Sequence, residues 1–460
     1  MNEKALTEKE LLELERQYCS YGDTVHYLEE LQIFERCEGS WLYDGKDTPY
    51  LDMQMWYSAV NFGYKNEEIE DAHQQQIARL PQLASQYLHR EKILLAAKIA
   101  QETEKRFGMK GRVHFNVGGA QAIEDSMKLV RNFSQGKSLM FAFMGGYHGR
   151  TLGCSEITSS YRYRRRYGHF SNRAAFIPYP YCYRCFCGQK RGSCDYECIK
   201  QFEQLFETEY YGVLDPKANE AEFAAFYVEP VQATGGYIAP PPGYFAKLQK
   251  VLKNYGILLV DDEIQMGFYR TGKLWAMEHF EVEPDVVVFA KSLTNGLNPL
   301  SGLWAKEELI NPRIFPPGST HSTFSSNPLG TAAGLATLAY IAKHDFERSV
   351  AEKGHYLLER LQKLQQYHPV LGDVDGLGLA IRVEITKSDG FTPDKALTDR
   401  INAEGMKGDI EVNGKKYGLV LDVGGYYKNA FTLAPPLTIS YQEMDLFIEL
   451  FEALLKRCGV

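Results

Sequence analysis

From about residue 65 to residue 345 the chain alternates short, mostly apolar runs with stretches of helical periodicity. The runs are Arg112–Phe115, Leu139–Phe143, Ala224–Val228, Ile257–Val260 and Val286–Ala290. Most are apolar without a break, as strands covered on both faces require. The helical stretches are 120–133, 197–208, 243–254 and 328–343. This alternation predicts a mostly parallel α/β sheet with helices packed against it.

Outside that region the pattern differs. Residues 4–16 read as an amphipathic helix, and Trp41–Asp44 and Tyr50–Met53 as short strands joined by a turn at Gly45. After residue 345 come a long helix (349–366), strand-like stretches at Gly376–Glu384 and Gly418–Asp422, and a last helix (441–457). The expected division is therefore an N-terminal segment (1–60) packing with a small C-terminal α+β domain (345–460), around a large α/β domain (61–344). The large domain carries a cysteine-rich insertion at 180–200.

The 460 residues can bury a large core, and a net charge of −8 argues against general binding to nucleic acid or membrane surfaces. The first twenty residues lack an apolar signal core, and no run approaches the ~18 apolar residues of a membrane span. The nine cysteines accompany no secretory signal, so a reduced, cytoplasmic protein is expected.

Two strand ends carry the chemistry. Lys291 follows the Val286–Ala290 run, and Asp261-Asp262-Glu263 follows Ile257–Val260. Open α/β sheets place ligands at the C-terminal ends of their strands. A lysine there is either a solvated strand end or, desolvated beside a cationic cofactor, a nucleophilic amine. Asp262 either caps the next turn or keeps a pyridine nitrogen protonated. Asp261 points to the opposite face if the strand continues. A lysine for a Schiff base and a carboxylate for the pyridine ring are the two protein groups that pyridoxal phosphate needs. Gln265 could bond the ring hydroxyl or sit at the surface.

Further segments fit the same site, each with a plainer reading. Gly118-Gly119-Ala120 joins a strand to a helix, where backbone amides favour a phosphate; it is otherwise just a turn. In Tyr147-His148-Gly149-Arg150, Tyr147 could stack on a flat ring and Arg150 could clamp a substrate carboxylate. The plainer reading is a glycine-rich loop with a surface arginine, and for His148 a hydrogen-bonded structural role. Glu229 orients a cofactor or substrate group, or ends its strand. Thr323, within Ser322–Pro328, belongs to a phosphate-binding turn or to a helix cap. Cys182, Cys185, Cys194 and Cys198, with Cys187 between them, either hold zinc or are free thiols packing a surface excursion. The stretch Tyr161–Tyr167 reads as a solvated or interface-lining loop.

Taken in order, these motifs resemble the class III aminotransferases, pyridoxal phosphate enzymes of fold type I. The likeness runs from about residue 35 to the end. It rests on Gly118–Ala122, Tyr147–Thr151, Glu229–Gln232, Leu259–Phe268, Arg270–Lys273, Phe289–Lys291 and Ser322–Pro328. It implies a mostly parallel, seven-stranded type of central sheet flanked by helices. It also implies that Lys291 carries the cofactor as a Schiff base, Asp262 pairs with the ring nitrogen, Gln265 with the ring oxygen, and Tyr147 stacks on the ring. The Gly119 and Ala120 amides would hold the phosphate. Thr323 would reach the partner subunit's cofactor, making the protein a homodimer with its site at the interface, and Arg150 would bind a distal carboxylate.

The chain departs from the family pattern at several points. Many relatives have an arginine for the α-carboxylate where this chain has Thr432, and some shield it with a glutamate where this chain has Thr234. Arg382 either compensates or lies on a strand's outer face. Tyr64-Lys65-Asn66 replaces a histidine-proline pattern near the dimer contact. The expected activity is transfer of an amino group between an amine or ω-amino acid and a 2-oxo acid. The alternatives are an amino acid racemase or epimerase on the same scaffold, and a catalytically silent interaction or metal-binding relative.

Overall fold

The structure, a computed structural model, describes residues 6–20, 22, 32–167 and 173–460. Its centre is a seven-stranded sheet. The order across it is Gly111–Asn116, Ser301–Lys306, Val286–Phe289, Leu258–Asp262, Phe223–Val228, Leu139–Phe143, Ala174–Ile177. Ser301–Lys306 runs antiparallel to both neighbours, and the remaining pairs are parallel.

The apolar runs are buried for the reason their composition gives. Every residue of Phe223–Val228 and of Val286–Phe289 is buried. Full burial of one such valine or phenylalanine contributes about 1.5–3 kcal/mol. Helix Gly119–Phe133 buries Ile123, Met127 and Val130 on one side, at helical spacing. Helix Pro328–Lys343 begins at Asn327, whose side chain accepts from the Gly330 amide at 2.7 Å.

Two smaller sheets lie outside this centre. One is ordered Phe34–Glu38, Trp41–Asp44, Pro49–Asp52, Lys415–Val420, Ile410–Val412, so the N-terminal strands pair with a C-terminal one. The other joins Leu371–Leu377, Ala380–Ile385, Ala430–Leu433 and Val423–Gly424. Helices Phe346–Gln365 and Tyr441–Arg457 match the expected long and terminal helices to within a few residues.

Several elements differ from the sequence reading. The N-terminal helix spans Glu8–Tyr18; residues 4 and 5 of the expected stretch lie outside the described residues. Strands Ala174–Ile177 and Ser301–Lys306 and helices Glu67–Arg79 and Arg90–Phe107 were not anticipated. The first strand is only four residues long, and the second opens with Ser-Gly directly after a Gly- and Pro-containing loop, so neither forms a long apolar run.

Candidate active site

Parallel pairing brings the chemistry-bearing strand ends together. Asp262 sits opposite Val288 in register, three residues before Lys291. Asp261 sits opposite Val228, so Glu229 falls beside Asp262. Leu139–Phe143 lies on the other side of Phe223–Val228 and leads into Gly145–Arg150. A cavity of about 720 Å³ opens at this edge, within the ~300–1,000 Å³ usual for small-molecule sites. Gly118, Gly119, Ala120, Tyr147, His148, Arg150, Glu229, Asp262, Gln265 and Lys291 all line it.

Lys291 occupies a left-handed backbone position (φ 44°), a strain of the kind found at functional sites. Its Nζ donates to Gln265 Oε1 at 2.6 Å, and Gln265 Nε2 donates to the Tyr237 hydroxyl at 2.9 Å. Burial lowers the ammonium pKa to about 8, although Asp262 and Glu229 oppose that shift. The amine is therefore available as a nucleophile near neutral pH.

His148 Nδ1 lies 2.7 Å from Asp262 Oδ2, and Asp262 Oδ1 accepts from the Ile264 amide at 3.1 Å. Burial alone would lower the His148 pKa; the bond and charge of Asp262 outweigh it and raise the pKa above its ordinary value. Glu229 accepts from the Tyr147 amide at 2.9 Å and the Ala233 amide at 3.0 Å. Burial pushes its carboxyl up to about 7. Arg150 Nε donates to the Tyr147 hydroxyl at 3.1 Å, and its guanidinium lies 4.6 Å from the centre of the Tyr163 ring.

Helix Gly119–Phe133 points its N-terminus into this cavity with no capping side chain. Its first amides have no acceptor within the helix, which leaves them for an anion. A Cβ built on Gly118 would meet nothing within 4 Å, so this wall is open space. Amide donors, a carboxylate backed by a histidine and an amine of lowered pKa, all in one cavity, match the chemistry of pyridoxal phosphate. The residues present fit that cofactor.

Not every expected residue lies in the cavity. Thr323 is exposed and lines a neighbouring cavity, which shares Val117, Asn298 and Pro299 with the first. Arg382 neither compensates for Thr432 nor lies on an outer face. It is buried, pairs with Asp373 and donates to the Tyr237 carbonyl at 2.9 Å, because Ala380–Ile385 is covered on both sides. Thr432 donates to Asp422 Oδ2 at 2.6 Å. The five insertion cysteines are free thiols that line one small cavity, and no metal-holding group of three or more His, Cys, Asp or Glu occurs among the described residues.

The sequence reading also missed three contributors. Trp56 and Ala59 form a wall of the cavity from the N-terminal segment. Met55 to Ser58 all have positive φ, a backbone state that residue composition does not announce. Tyr237, the second partner of Gln265, lies 28 residues away in sequence.

Residues 24–455 match the model of the family described as aminotransferase class-III. A leucine/methionine racemase of Thermococcus litoralis is 32% identical over 408 residues, 88% of this chain and 86% of that protein. A taurine–pyruvate aminotransferase of Bilophila wadsworthia is 30% identical, over 95% of this chain and 94% of its own length. The solved structure of an amine transaminase from an uncultivated Pseudomonas species, in its pyridoxal-phosphate-bound form, superposes with a TM-score of 0.82. It is 27% identical and covers 94% of this chain and 96% of its own. A seven-stranded sheet of this order, a lysine and an aspartate in one cavity, and a family match over almost the whole length place this chain in the class III aminotransferases, enzymes that use pyridoxal phosphate to move amino groups.

Proposed function

We propose that the chain moves an amino group between an amine or ω-amino acid donor and a 2-oxo acid, with Lys291 as its acid–base and covalent residue. The observation that carries this is the shared cavity of Lys291 and Asp262. Pyridoxal phosphate, when bound, carries the amino group and draws electrons from the carbon that bears it. Lys291 would hold the cofactor and then, freed by the donor, take the proton from that carbon as general base. Asp262 would keep the ring nitrogen protonated, with His148 behind it. The Gly119 and Ala120 amides would hold the phosphate, Tyr147 would cover the ring, and Gln265 would bond its oxygen. Arg150 would take a distal carboxylate.

The likeness to a racemase supports a second reading, in which the proton returns to the same carbon. One single-turnover experiment separates the two. Loss of the aldehyde form of the cofactor together with release of a carbonyl product supports amino transfer. Inversion of a chiral amino acid with no carbonyl product refutes it.

The same reading includes a homodimer, in which Thr323 reaches the partner's cofactor. Tyr87, Leu88 and Phe324 are 57%, 73% and 70% exposed near the second cavity, apolar surface that a second copy would cover. Sedimentation at micromolar concentration should give a dimer; a monomer would end this part. The division at about residues 60 and 344 is also part of it, supported by the pairing of Pro49–Asp52 with Lys415–Val420. Nine free thiols favour a reducing, cytoplasmic setting, and no helix among the described residues is long and apolar enough to cross a membrane.

A further inference from the structure

Tyr237 has no part in the roles above, although it is bonded to the residue that holds Lys291. It follows Gly235-Gly236 and is 1% exposed, in an apolar cluster with Val231, Ala233 and Met266. A phenylalanine would fill that space equally well. The hydroxyl adds a contact that a phenyl ring lacks: it accepts from Gln265 Nε2 at 2.9 Å.

The backbone is held for that contact. Tyr237 has φ 52°, a left-handed state that bulky residues avoid and that persists only where the surroundings impose it. Gln232 and Ile238 close the turn around it, each amide donating to the other's carbonyl, at 2.9 and 3.1 Å. The Tyr237 amide donates to the Ala233 carbonyl at 3.2 Å, and its carbonyl accepts from Arg382 Nη1 at 2.9 Å. Arg382 is fixed in turn by Asp373. The buried arginine that leaves Thr432 uncompensated anchors this turn instead.

The two ends of the Gln265 amide are thereby sorted. Oε1 accepts from Lys291 Nζ at 2.6 Å, and Nε2 faces the Tyr237 hydroxyl. An amide nitrogen carries two N–H groups. With one taken by Tyr237, the other remains for the ring oxygen that the proposed function gives to Gln265. Turned end for end, the amide would aim N–H groups at the lysine and a lone pair at the ring oxygen. A lysine amine rides on a flexible stem, so a fixed acceptor decides where it rests and which way its lone pair faces.

We infer that Tyr237 is a positioning residue for Lys291: its hydroxyl fixes the orientation of the Gln265 amide, which in turn aims the lysine amine and offers the cofactor an N–H. The inference rests on Lys291 as the covalent and acid–base residue, and it holds for amino transfer and racemisation alike.

The test compares the wild-type chain with Tyr237→Phe, Gln265→Ala and the double variant. Tyr237→Phe keeps the ring that packs in the core and removes the hydroxyl. Reconstitution of its apoprotein with pyridoxal phosphate, followed by absorbance, should slow by about fivefold. The first half-reaction of the holoenzyme with saturating pentylamine or 5-aminopentanoate, whichever the wild type converts, should slow by about tenfold, with KM unchanged within about twofold. If neither donor is converted, reconstitution alone decides. In the Gln265→Ala background the same substitution should change nothing further, because the hydroxyl then has no amide to hold. Wild-type rates in Tyr237→Phe, or an equal loss in both backgrounds, would overturn the inference: the first makes the hydroxyl idle, the second makes it a packing group. Should Tyr237→Phe fail to fold, Gln265→Met, which keeps the length without the amide, decides. Slowed reconstitution supports the inference, and wild-type rates overturn it. All these results leave Lys291 in its role. If borohydride reduction places the cofactor on another lysine, the reading of Lys291 itself fails, and this inference with it.

Discussion

His148 and Asp262 form a buried pair, with Nδ1 and Oδ2 2.7 Å apart, at the end of a parallel strand and on the same side as Lys291. The pair makes Asp262 more than a lone carboxylate, because its second oxygen is held by the Ile264 amide. A carboxylate held at both oxygens is fixed in its orientation.

His148→Gln should keep a hydrogen bond to Asp262 and lose the cation. A charged hydrogen bond contributes about 1.5–3 kcal/mol, so the first half-reaction should slow by roughly 10- to 100-fold. Stopped-flow absorbance checks this. An unchanged rate would make His148 a packing residue only.

The lowered pKa of Lys291 has a direct signature in the apoprotein. Only the neutral amine attacks an aldehyde, so the rate of reconstitution with pyridoxal phosphate should rise with pH and level off above about 8. The depressed pKa also acts on stability. The unfolded chain binds the extra proton between about 8 and its ordinary 10.5, so the cost of burying this group is present below pH 8 and relieved as pH rises through that window. An inflection near 10.5 in the reconstitution profile would mean that the lysine is not desolvated.

Much of the fold was legible because it depends on local pattern. Leu139–Phe143 was read residue for residue, and the helices near 120, 243, 328 and 441 were placed within one or two residues at their starts. The separation of Asp261 from Asp262 followed from the two-residue period of a strand, and the structure places Asp262 alone in the cavity wall. What was missed depends on tertiary contact. The link between Thr432 and Asp422 arises where strand Ala430–Leu433 passes the end of another strand, and no spacing announces it. Arg382 was open to either a compensating or an outer-face role because Leu379–Val383 reads as apolar with one charge; its partner Asp373 lies on the facing strand of a hairpin.

On the other side of the strand, Asp261 and Glu263 are both buried. Burial and mutual repulsion push Asp261 well above the ordinary carboxylate range, and burial lifts Glu263 to about 8. The native state thus holds protons that the unfolded chain releases. The stability this contributes is complete below the ordinary carboxylate range and is lost as pH rises through about 8. Asp261→Asn should flatten that decline between pH 5 and 9 and add about 1–2 kcal/mol at pH 8, since a buried unpaired carboxylate is costly. Urea denaturation at both ends of that range checks it; a parallel decline in both proteins would contradict it.

The cysteine-bearing insertion is tied to the C-terminal strands by Arg184, whose guanidinium donates to both oxygens of Glu384 at 2.6–3.2 Å. Both side chains are nearly buried, at 9% and 3% exposure. Arg184→Ala would leave Glu384 without its cation and should cost about 3 kcal/mol. The double variant Arg184→Ala, Glu384→Gln should recover most of that, read by the same denaturation experiment. No recovery would place the loss in packing rather than charge.

The account depends most on the covalent role of Lys291 beside Asp262. Borohydride reduction of the holoenzyme, followed by peptide mass spectrometry, tests it directly. The reduced cofactor should be found on the peptide containing Lys291, and Asp262→Ala should retain that adduct while losing the half-reaction. An adduct on another lysine, or none on a protein that retains activity, would contradict the account.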